Sequence, residues 1–337
     1  MESPRILISI LNWNKAATTL QCVESLRALD RSGMHVEVVV IDNGSDPADH
    51  SQLRQGITDD WIRVHRIERN LGFTGGHNVA LAMAIEAGHD FVWMLNNDTT
   101  VPPDTLGKLA RALAADPRCG AVSPVIYPDD GGCPDNAWGL VHDWPARSAA
   151  WIQSEEASRE LHRARPDDIC LSGTAILLRM QAMREIGLLD ERLFAYYDDN
   201  DVGARLARGG WRSKIVFDAA ALHGAPPATA RPLYFFYLMF RNELIFWHAN
   251  MPPAFRRLLW LKLVNQSIFN VLRLRRRGML PQADSALLGV WDFICGRGGA
   301  PKLQRRPPLA LRALVALAER MHREQLASSD TLSTTQV

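Results

Sequence analysis

Two acidic stretches, far apart in the chain, hold the residues best able to do chemistry. The first is Asn96-Asn97-Asp98-Thr99, placed directly after the apolar run Phe91-Val92-Trp93-Met94-Leu95. Such a run reads as a buried parallel strand, and in open α/β sheets ligands bind just beyond the carboxyl ends of strands. A carboxylate at that corner, flanked by amides, suits a hard cation that also carries phosphate oxygens. The second stretch is Tyr197-Asp198-Asp199-Asn200-Asp201. One carboxylate for a metal-bound leaving group and another for proton removal are what group transfer from an activated phosphate requires.

The elements between them must bring the two together. Residues 6–11, 36–41, 61–67 and 91–95 read as strands, alternating with helices over 16–29, around Leu53, and from a glycine-rich loop at 70–76 through 85. Leu20, Val23, Leu26 and Leu29 form the stripe of the first helix, and Asp46 stands where a cap for the second is needed. This β-α-β-α order predicts a parallel, right-handed sheet covered by helices. Further on, a helix to about Ala115, a strand over 121–126, a strand over 173–179, helices over 181–186 and 202–208, and a strand over 213–217 continue the pattern. Asp201 reads as the N-cap of the 202–208 helix rather than as a reactant. Residues 127–168, rich in Pro, Gly, Trp and Asp, read as an irregular flap. From Leu233 the chain reads as helical, with breaks at Pro252-Pro253, 278–281 and 296–308, and its polar end after about residue 327 as disordered.

With 337 residues, 47% hydrophobic and 22% charged, the chain can build one large α/β domain with an appendage. A net charge of +1 hides an asymmetry. After Met251 the acidic residues are Asp284, Asp292, Glu319, Glu324 and Asp330, while Arg and Lys recur throughout, so the tail is basic and the rest acidic. That suits a nucleotide-and-metal module followed by a part that meets an anionic surface. Cys22, Cys119, Cys133, Cys170 and Cys295 are scattered and never form Cys-x-x-Cys, which favours reduced cytoplasmic thiols over a zinc site or disulfide framework. The apolar run at 5–11 is too short for a secretory signal, and no stretch is long and apolar enough to span a bilayer.

No Gly-x-Gly-x-x-Gly follows the first strand; Gly72, Gly75 and Gly76 follow the third instead. Glycine there lets the backbone approach a ligand, or simply makes a connector. Asp42, after the second strand, can accept from a nucleobase or ribose, or form an Asx-turn in Asp42-Asn43-Gly44.

In this order, the blocks Leu11-Asn12-Trp13-Asn14, Val40-Ile41-Asp42-Asn43-Gly44-Ser45, Asn70-Leu71-Gly72-Phe73-Thr74-Gly75-Gly76-His77-Asn78, Leu95-Asn96-Asn97-Asp98, Ser172-Gly173-Thr174-Ala175 and Tyr197-Asp198-Asp199-Asn200-Asp201 resemble family 2 glycosyltransferases, and among them the bacterial rhamnosyltransferase-like branch. The resemblance covers about residues 5–245. It implies an inverting GT-A-fold enzyme that uses a nucleotide-sugar, with a mostly parallel sheet flanked by helices. By the same resemblance Asp98 is the metal-binding aspartate of an Asp-x-Asp motif whose first position here is Asn96. Asp42 reads the nucleobase, Asp199 is the catalytic base with Asp198 in place of the usual Glu, and His223 completes the shell of a Mg²⁺ or Mn²⁺ ion. Asn12, Asn14, Asn70, Gly72, Gly75, Gly76, Asn78 and Asn97 then belong with Asp42 and Asp98 to the donor site. Gly173, Thr174, Asp198 and Arg241 belong to the acceptor side.

Other readings of single residues stay open at this level. His223 is a ligand or a core histidine; His77 lies against phosphates or is exposed; Arg241 meets a phosphate or a helix-surface carboxylate. Trp138, Trp144 and Trp151 stack on sugars or anchor the flap. Asp198 and Asp201 are expected to raise the affinity of Asp199 for a proton.

The expected organisation is a catalytic domain over 1–230, with a donor half to about 126 and an acceptor half beyond it. A basic amphipathic helical extension over 231–327 and a disordered tail over 328–337 follow. In the extension, Phe255, Leu258, Leu259, Trp260, Leu263, Ile268, Phe269 and Leu272 alternate with Arg256, Arg257, Lys262, Arg273, Arg275, Arg276 and Arg277, which suits an anionic membrane face. Packing against the catalytic domain competes with this, and nucleic acid is disfavoured for want of a recognition module. The expected activity is transfer of L-rhamnose from dTDP-L-rhamnose to a lipid-linked, growing surface polysaccharide by a cytoplasmic protein, peripheral on the inner face of the plasma membrane. The processive Gln-x-x-Arg-Trp motif is absent, so one sugar is added per encounter. The rivals are a UDP-hexose or UDP-galactofuranose donor, a nucleotidyltransferase, and a non-catalytic nucleotide- or glycan-binding protein.

Overall fold

The computed structural model describes residues 3–130, 138–224, 231–257 and 259–321. The chain divides into two compact units, Met1–Pro227 and Ala228–Val337. In the first, β1 (Arg5–Asn12), α1 (Ala16–Arg27), β2 (His35–Asn43), α2 (Pro47–Gly56), β3 (Ile62–Ile67), α3 (Gly72–Ala87) and β4 (Phe91–Leu95) alternate as expected. Ile6, Leu7, Ile8, Ile10, Val38, Val39, Val40 and Ile41 are fully buried, which is why β1 and β2 read as unbroken apolar runs. There follow β5 (Thr99–Thr100), α4 (Thr105–Ala115), β6 (Cys119–Pro128), β7 (Leu140–Asp143), β8 (Ser148–Trp151), α5 (Glu155–Ala164), β9 (Ile169–Cys170), β10 (Ala175–Arg179), α6 (Met180–Ile186), α7 (Asp198–Arg208) and β11 (Arg212–His223).

The main sheet has the order β3-β2-β1-β4-β10-β6-β11-β5. The first four strands are mutually parallel, whereas β10 is antiparallel to both of its neighbours, β4 and β6. That reversal positions the site. Ala175, which begins β10, pairs with Leu95, which ends β4, so the loops at 96–98 and 172–174 emerge at one edge. Helices cover this sheet around a single apolar core that includes Trp93, Leu106, Leu109 and Leu177.

Three expectations need correction. The segment at 127–168 is partly regular: β7 and β8 form a hairpin, β9 joins it to make a three-stranded sheet, and α5 is capped by Ser154, whose side chain accepts from the Ala157 amide. The glycines at 72–76 are not a loop, because α3 starts at Gly72. Helix α7 begins at Asp198, with Tyr197 at its N-cap, so Asp201 lies in the first turn and pairs with Arg205 at 2.8 Å instead of capping.

The second unit is helical: α8 (Leu233–Asn250), a short turn at Pro253–Phe255, α9 (Leu259–Arg276), α10 (Leu280–Ile294) and α11 (Leu309–Met321). Phe236, Val271, Leu272, Leu287 and Val315 share its core. Among the described residues no helix is long and apolar enough to cross a membrane. The expected disordered tail lies outside the described residues.

Candidate active site

The donor-side residues are largely engaged with one another. Asn12, fully buried at the end of β1, donates to Asp49 Oδ2 (2.9 Å) and Ser45 Oγ (3.1 Å) and accepts from Thr19 Oγ1 (2.7 Å). Asn14, with φ 51°, accepts the Asp46 amide at 2.8 Å. Asn70 Oδ1 accepts from the Gly72 amide (2.7 Å) and from Asn43 Nδ2 (3.1 Å). These bonds shape the edge between β1, β2 and α3. Asn97 joins the set through Thr19, to which its Nδ2 donates at 3.0 Å. Thr19 and Asn43 escaped the sequence reading as functional positions, because a threonine in a helix and an asparagine in a turn carry no signal of their own.

Asp42 is fully buried. Its Oδ2 lies 2.7 Å from His50 Nδ1 and 3.9 Å from the Arg66 guanidinium, and Asn12 Nδ2 is 3.4 Å from Oδ1. A base reaching this carboxylate must displace His50 or Arg66, both of which went unnoticed in the sequence.

The other glycine-motif residues serve the fold. Gly72 has φ +75°, and a Cβ there would lie 2.3 Å from the Phe194 carbonyl oxygen; one on Gly76 would lie 2.3 Å from Leu11 Cδ1. Gly75 and Gly76 are buried inside α3. His77 is buried, bonded to Ser9 Oγ at 2.8 Å, and held neutral by burial, which lowers its pKa to about 3. Asn78 clamps the 189–191 segment: Nδ2 donates to the Leu189 carbonyl and to Glu191, each at 3.0 Å, and Oδ1 accepts the Leu189 amide at 2.9 Å. Both its amide donors and its oxygen are thus engaged within the fold.

At the end of β4, Asp98 and His223 do meet. Residue 223 ends β11 and pairs with Thr99, and the Gly224 amide donates to the Asp98 carbonyl at 2.9 Å. Asp98 Oδ1 is buried without a hydrogen bond of ordinary geometry, although His223 Nε2 lies only 3.1 Å away. Asn96 Nδ2 is 3.5 Å from the same nitrogen. A carboxylate oxygen and an imidazole nitrogen converging in this way fit a divalent cation whose other ligands are phosphate oxygens and water. Among the described residues no group of three or more His, Cys, Asp or Glu gathers for a metal, so such an ion must draw most of its shell from the ligand.

Across the edge stand the acidic residues of α7. They follow a turn in which Phe194, Tyr196 and Tyr197 all have left-handed φ of 65–68°. Such conformations cost about 1–3 kcal/mol each and persist where surroundings over-determine them. Here the Phe194 carbonyl accepts the Thr74 amide at 3.1 Å, over Gly72. Asp199, half-buried, accepts at Oδ1 from the backbone amide (2.8 Å) and Nδ2 (2.9 Å) of Asn200, and at Oδ2 from the Gly173 amide (3.3 Å). Asp198 is buried; desolvation first, then the neighbouring Asp199 charge, pushes its pKa up to about 8. The 172–174 loop closes the circuit, with Thr174 and Ser172 hydroxyls 3.0 Å apart.

Arg241 belongs to the second unit. It is buried in α8, where it donates to the Gly299 carbonyl (2.6 Å), the Tyr237 hydroxyl (3.3 Å) and Asn242 Oδ1 (3.1 Å). These bonds hold the second unit together. Trp138 packs on Phe217 as an anchor, whereas Trp144 lies against His142.

With this geometry in view, residues 4–241 match the family described as Glycosyltransferase like family 2, and the chain belongs to that family of sugar-transferring enzymes. The N-acetylglucosaminyl-diphospho-decaprenol L-rhamnosyltransferase of Mycobacterium tuberculosis (strain CDC 1551 / Oshkosh) is 31% identical over 216 residues, covering 58% of this chain and 69% of that one. The galactofuranosyltransferase GlfT1 of Mycolicibacterium smegmatis is 25% identical over 230 residues, 64% of this chain and 69% of that one. Among solved structures, S. aureus TarS 1-349 in complex with UDP-GlcNAc superposes with a TM-score of 0.57 at 17% identity, covering 97% and 88% of the two chains. The mannosyltransferase PcManGT from Pyrobaculum calidifontis in complex with GDP-Man and Mn2+ gives 0.53 at 18% identity, over 98% and 84%. The fold is the GT-A fold, and the chain sits with the bacterial rhamnosyltransferase-like members of the family.

Proposed function

We propose that this glycosyltransferase moves L-rhamnose, from dTDP-L-rhamnose, onto a saccharide carried on a lipid diphosphate, with inversion at the anomeric carbon. The observation that supports the chemistry is the meeting of the 96–98 and 172–174 loops at one sheet edge, the first carrying Asp98 and the second bonded through Gly173 to Asp199. The sugar and acceptor are supported by the likeness to the mycobacterial rhamnosyltransferase, whose name states both.

In this reading Asp199 takes the proton of the acceptor hydroxyl as its oxygen attacks, a role worth on the order of a hundred- to ten-thousand-fold. Asp98 and His223 hold a Mg²⁺ or Mn²⁺ ion, which supplies positive charge to the departing diphosphate when bound. Gly173, Thr174 and buried Asp198 line the acceptor side. Asp42, Arg66 and His50 form the floor for the base, with Asn12, Asn14, Asn70, Gly72 and Asn97 holding the edge around it. The second unit exposes Trp260 and Leu261 at the start of α9 and Leu314 and Leu317 on α11, and α9 ends in Arg273, Arg275 and Arg276; these suit the inner face of an anionic membrane where such a lipid acceptor resides.

A second donor, UDP-galactofuranose, is favoured by the likeness to GlfT1. Thermal unfolding in the presence of dTDP-L-rhamnose, UDP-galactofuranose, UDP-GlcNAc or GDP-mannose, each with Mg²⁺ or Mn²⁺, separates them, because a bound donor raises the midpoint by mass action. Selective stabilisation by dTDP-L-rhamnose is expected. Stabilisation by another donor alone overturns the rhamnose assignment.

A further inference from the structure

A line of hydrogen bonds reaches Asp199 from the hairpin that the sequence presents as irregular. Asn200, which grips Asp199 Oδ1 through both its backbone amide and Nδ2, turns its own Oδ1 to His142 Nε2 at 2.9 Å. His142 Nδ1 in turn faces Cys170 Sγ at 3.4 Å. His142 is buried on β7 and Cys170 on β9, strands that pair at Leu140 and Cys170. Helix α7 presses close on β9, since a Cβ at Gly203 would lie 2.6 Å from Cys170 Sγ. The Trp144 ring packs on His142, with centroids 5.2 Å apart.

The polarity of each link follows from the one before it. An ionised carboxylate only accepts, so Asn200 must point Nδ2 at Asp199 and Oδ1 at His142. An amide oxygen also only accepts, so His142 Nε2 must carry the proton. Burial disfavours a second proton on the ring, and Nδ1 then accepts from the Cys170 thiol. Burial acts in the same sense, lowering the pKa of His142 and raising that of the Cys170 thiol. The two oxygens of Asp199 are left unequal. Among the described residues, Oδ1 accepts two short bonds, while Oδ2 accepts the Gly173 amide at 3.3 Å.

We propose that His142 is a positioning residue for the base, its Nε2–H fixing Asn200 so that Asp199 presents Oδ2 to the acceptor hydroxyl. The hydroxyl O–H bond breaks and its proton goes to Oδ2. The freed oxygen pair forms the new bond to the anomeric carbon, and the old C–O pair leaves with the nucleoside diphosphate. The inference rests on Asp199 being the base.

Two measurements test it. Nitrogen-15 spectra of the histidine-labelled full chain at neutral pH, with His142 assigned by difference from His142→Gln, should show a neutral ring protonated at Nε2; a proton on Nδ1 overturns the proposal. Turnover is then followed with whichever of dTDP-L-rhamnose and UDP-galactofuranose the parent uses. His142→Ala should lower kcat about ten- to hundred-fold, a fraction of what a positioned base supplies, with donor KM within about twofold. His142→Gln, whose amide N–H can reach Asn200, should recover most of that loss. Parental kcat in His142→Ala overturns the proposal, as does equal loss in both variants when their thermal midpoints match the parent. Should the alanine variant not fold, the tautomer and the glutamine variant decide. Asp199→Asn separates the two ideas: if it is inactive while His142→Ala runs at full rate, only the His142 proposal falls; if it turns over at the parental rate, the base assignment falls and the proposal with it.

Discussion

The backbone amide of Asn96 donates to the carbonyl oxygen of Thr174 at 2.9 Å, binding the first residue after β4 to the one that leads into β10. Two residues beyond Asn96 stands Asp98; one residue before Thr174 stands Gly173, whose amide reaches Asp199. A single backbone bond therefore ties the loop of Asp98 to the loop that reaches Asp199. Sequence separation has little to do with this proximity, which comes from the antiparallel insertion of β10 between β4 and β6.

Asp199→Asn keeps the shape and loses the basicity. Donor binding, read by thermal shift, should match the parent, while turnover falls by about a hundred-fold or more. Parental turnover would remove Asp199 from the reaction.

Asp98→Ala should abolish the dependence of nucleotide-sugar binding on Mg²⁺ or Mn²⁺, since a lone His223 is left to face the ion. Titration calorimetry with and without a chelator reads this directly. Chelator-sensitive binding that survives unchanged in the variant places the ion elsewhere.

Buried Asp198 holds its proton to about pH 8, whereas in an unfolded chain an aspartate gives it up near pH 4. Between those values the folded state binds more protons than the unfolded one, so this residue costs stability progressively as pH rises. Asp198→Asn cannot titrate. Its thermal midpoint relative to the parent should climb between about pH 5 and about pH 8. Parallel curves for the two proteins would show that Asp198 ionises freely.

Gly72→Ala forces a left-handed alanine, at about 1–2 kcal/mol, and also drives a methyl into the Phe194 carbonyl. The midpoint should drop by several degrees, and kcat should drop with it, because Phe194 belongs to the turn that delivers Asp199. A stability loss without a kinetic loss would uncouple the two.

Replacing Arg273, Arg275 and Arg276 of α9 by Gln should reduce co-flotation with vesicles rich in phosphatidylglycerol and leave the residual binding less sensitive to salt. Equal flotation of parent and variant argues for contact through the exposed apolar side chains alone.

Much of the fold could be read in the residues. The strands β1, β2 and β4 announce themselves as β-branched or apolar runs, and the strand–helix alternation fixes their parallel order. The direction of β10 could not be read, since five apolar residues look alike whichever way they run. The strands β7, β8 and β9 are only two to four residues long and sit among Pro, Gly and Asp, so composition concealed them. For the site, Asp98 meets His223 and Gly173 meets Asp199, each pair drawn from motifs remote in sequence. The bonds of Asn78 and Arg241 could not be read, because a polar residue near a motif looks the same whether it faces solvent or holds a backbone. His142 had no signal at all, as its partners are Asn200 and Cys170, both remote in sequence.

Because β6 leaves the sheet at the same end where β10 re-enters it, the chain between them starts and finishes at one place on the scaffold. Its Trp138, Leu161, Ile169 and Leu171 key into the main core, so a version grafted from a related transferase must bring matching apolar anchors. With those kept, the remaining positions of the insert can vary, in nature or by engineering, while the first four strands stay as they are.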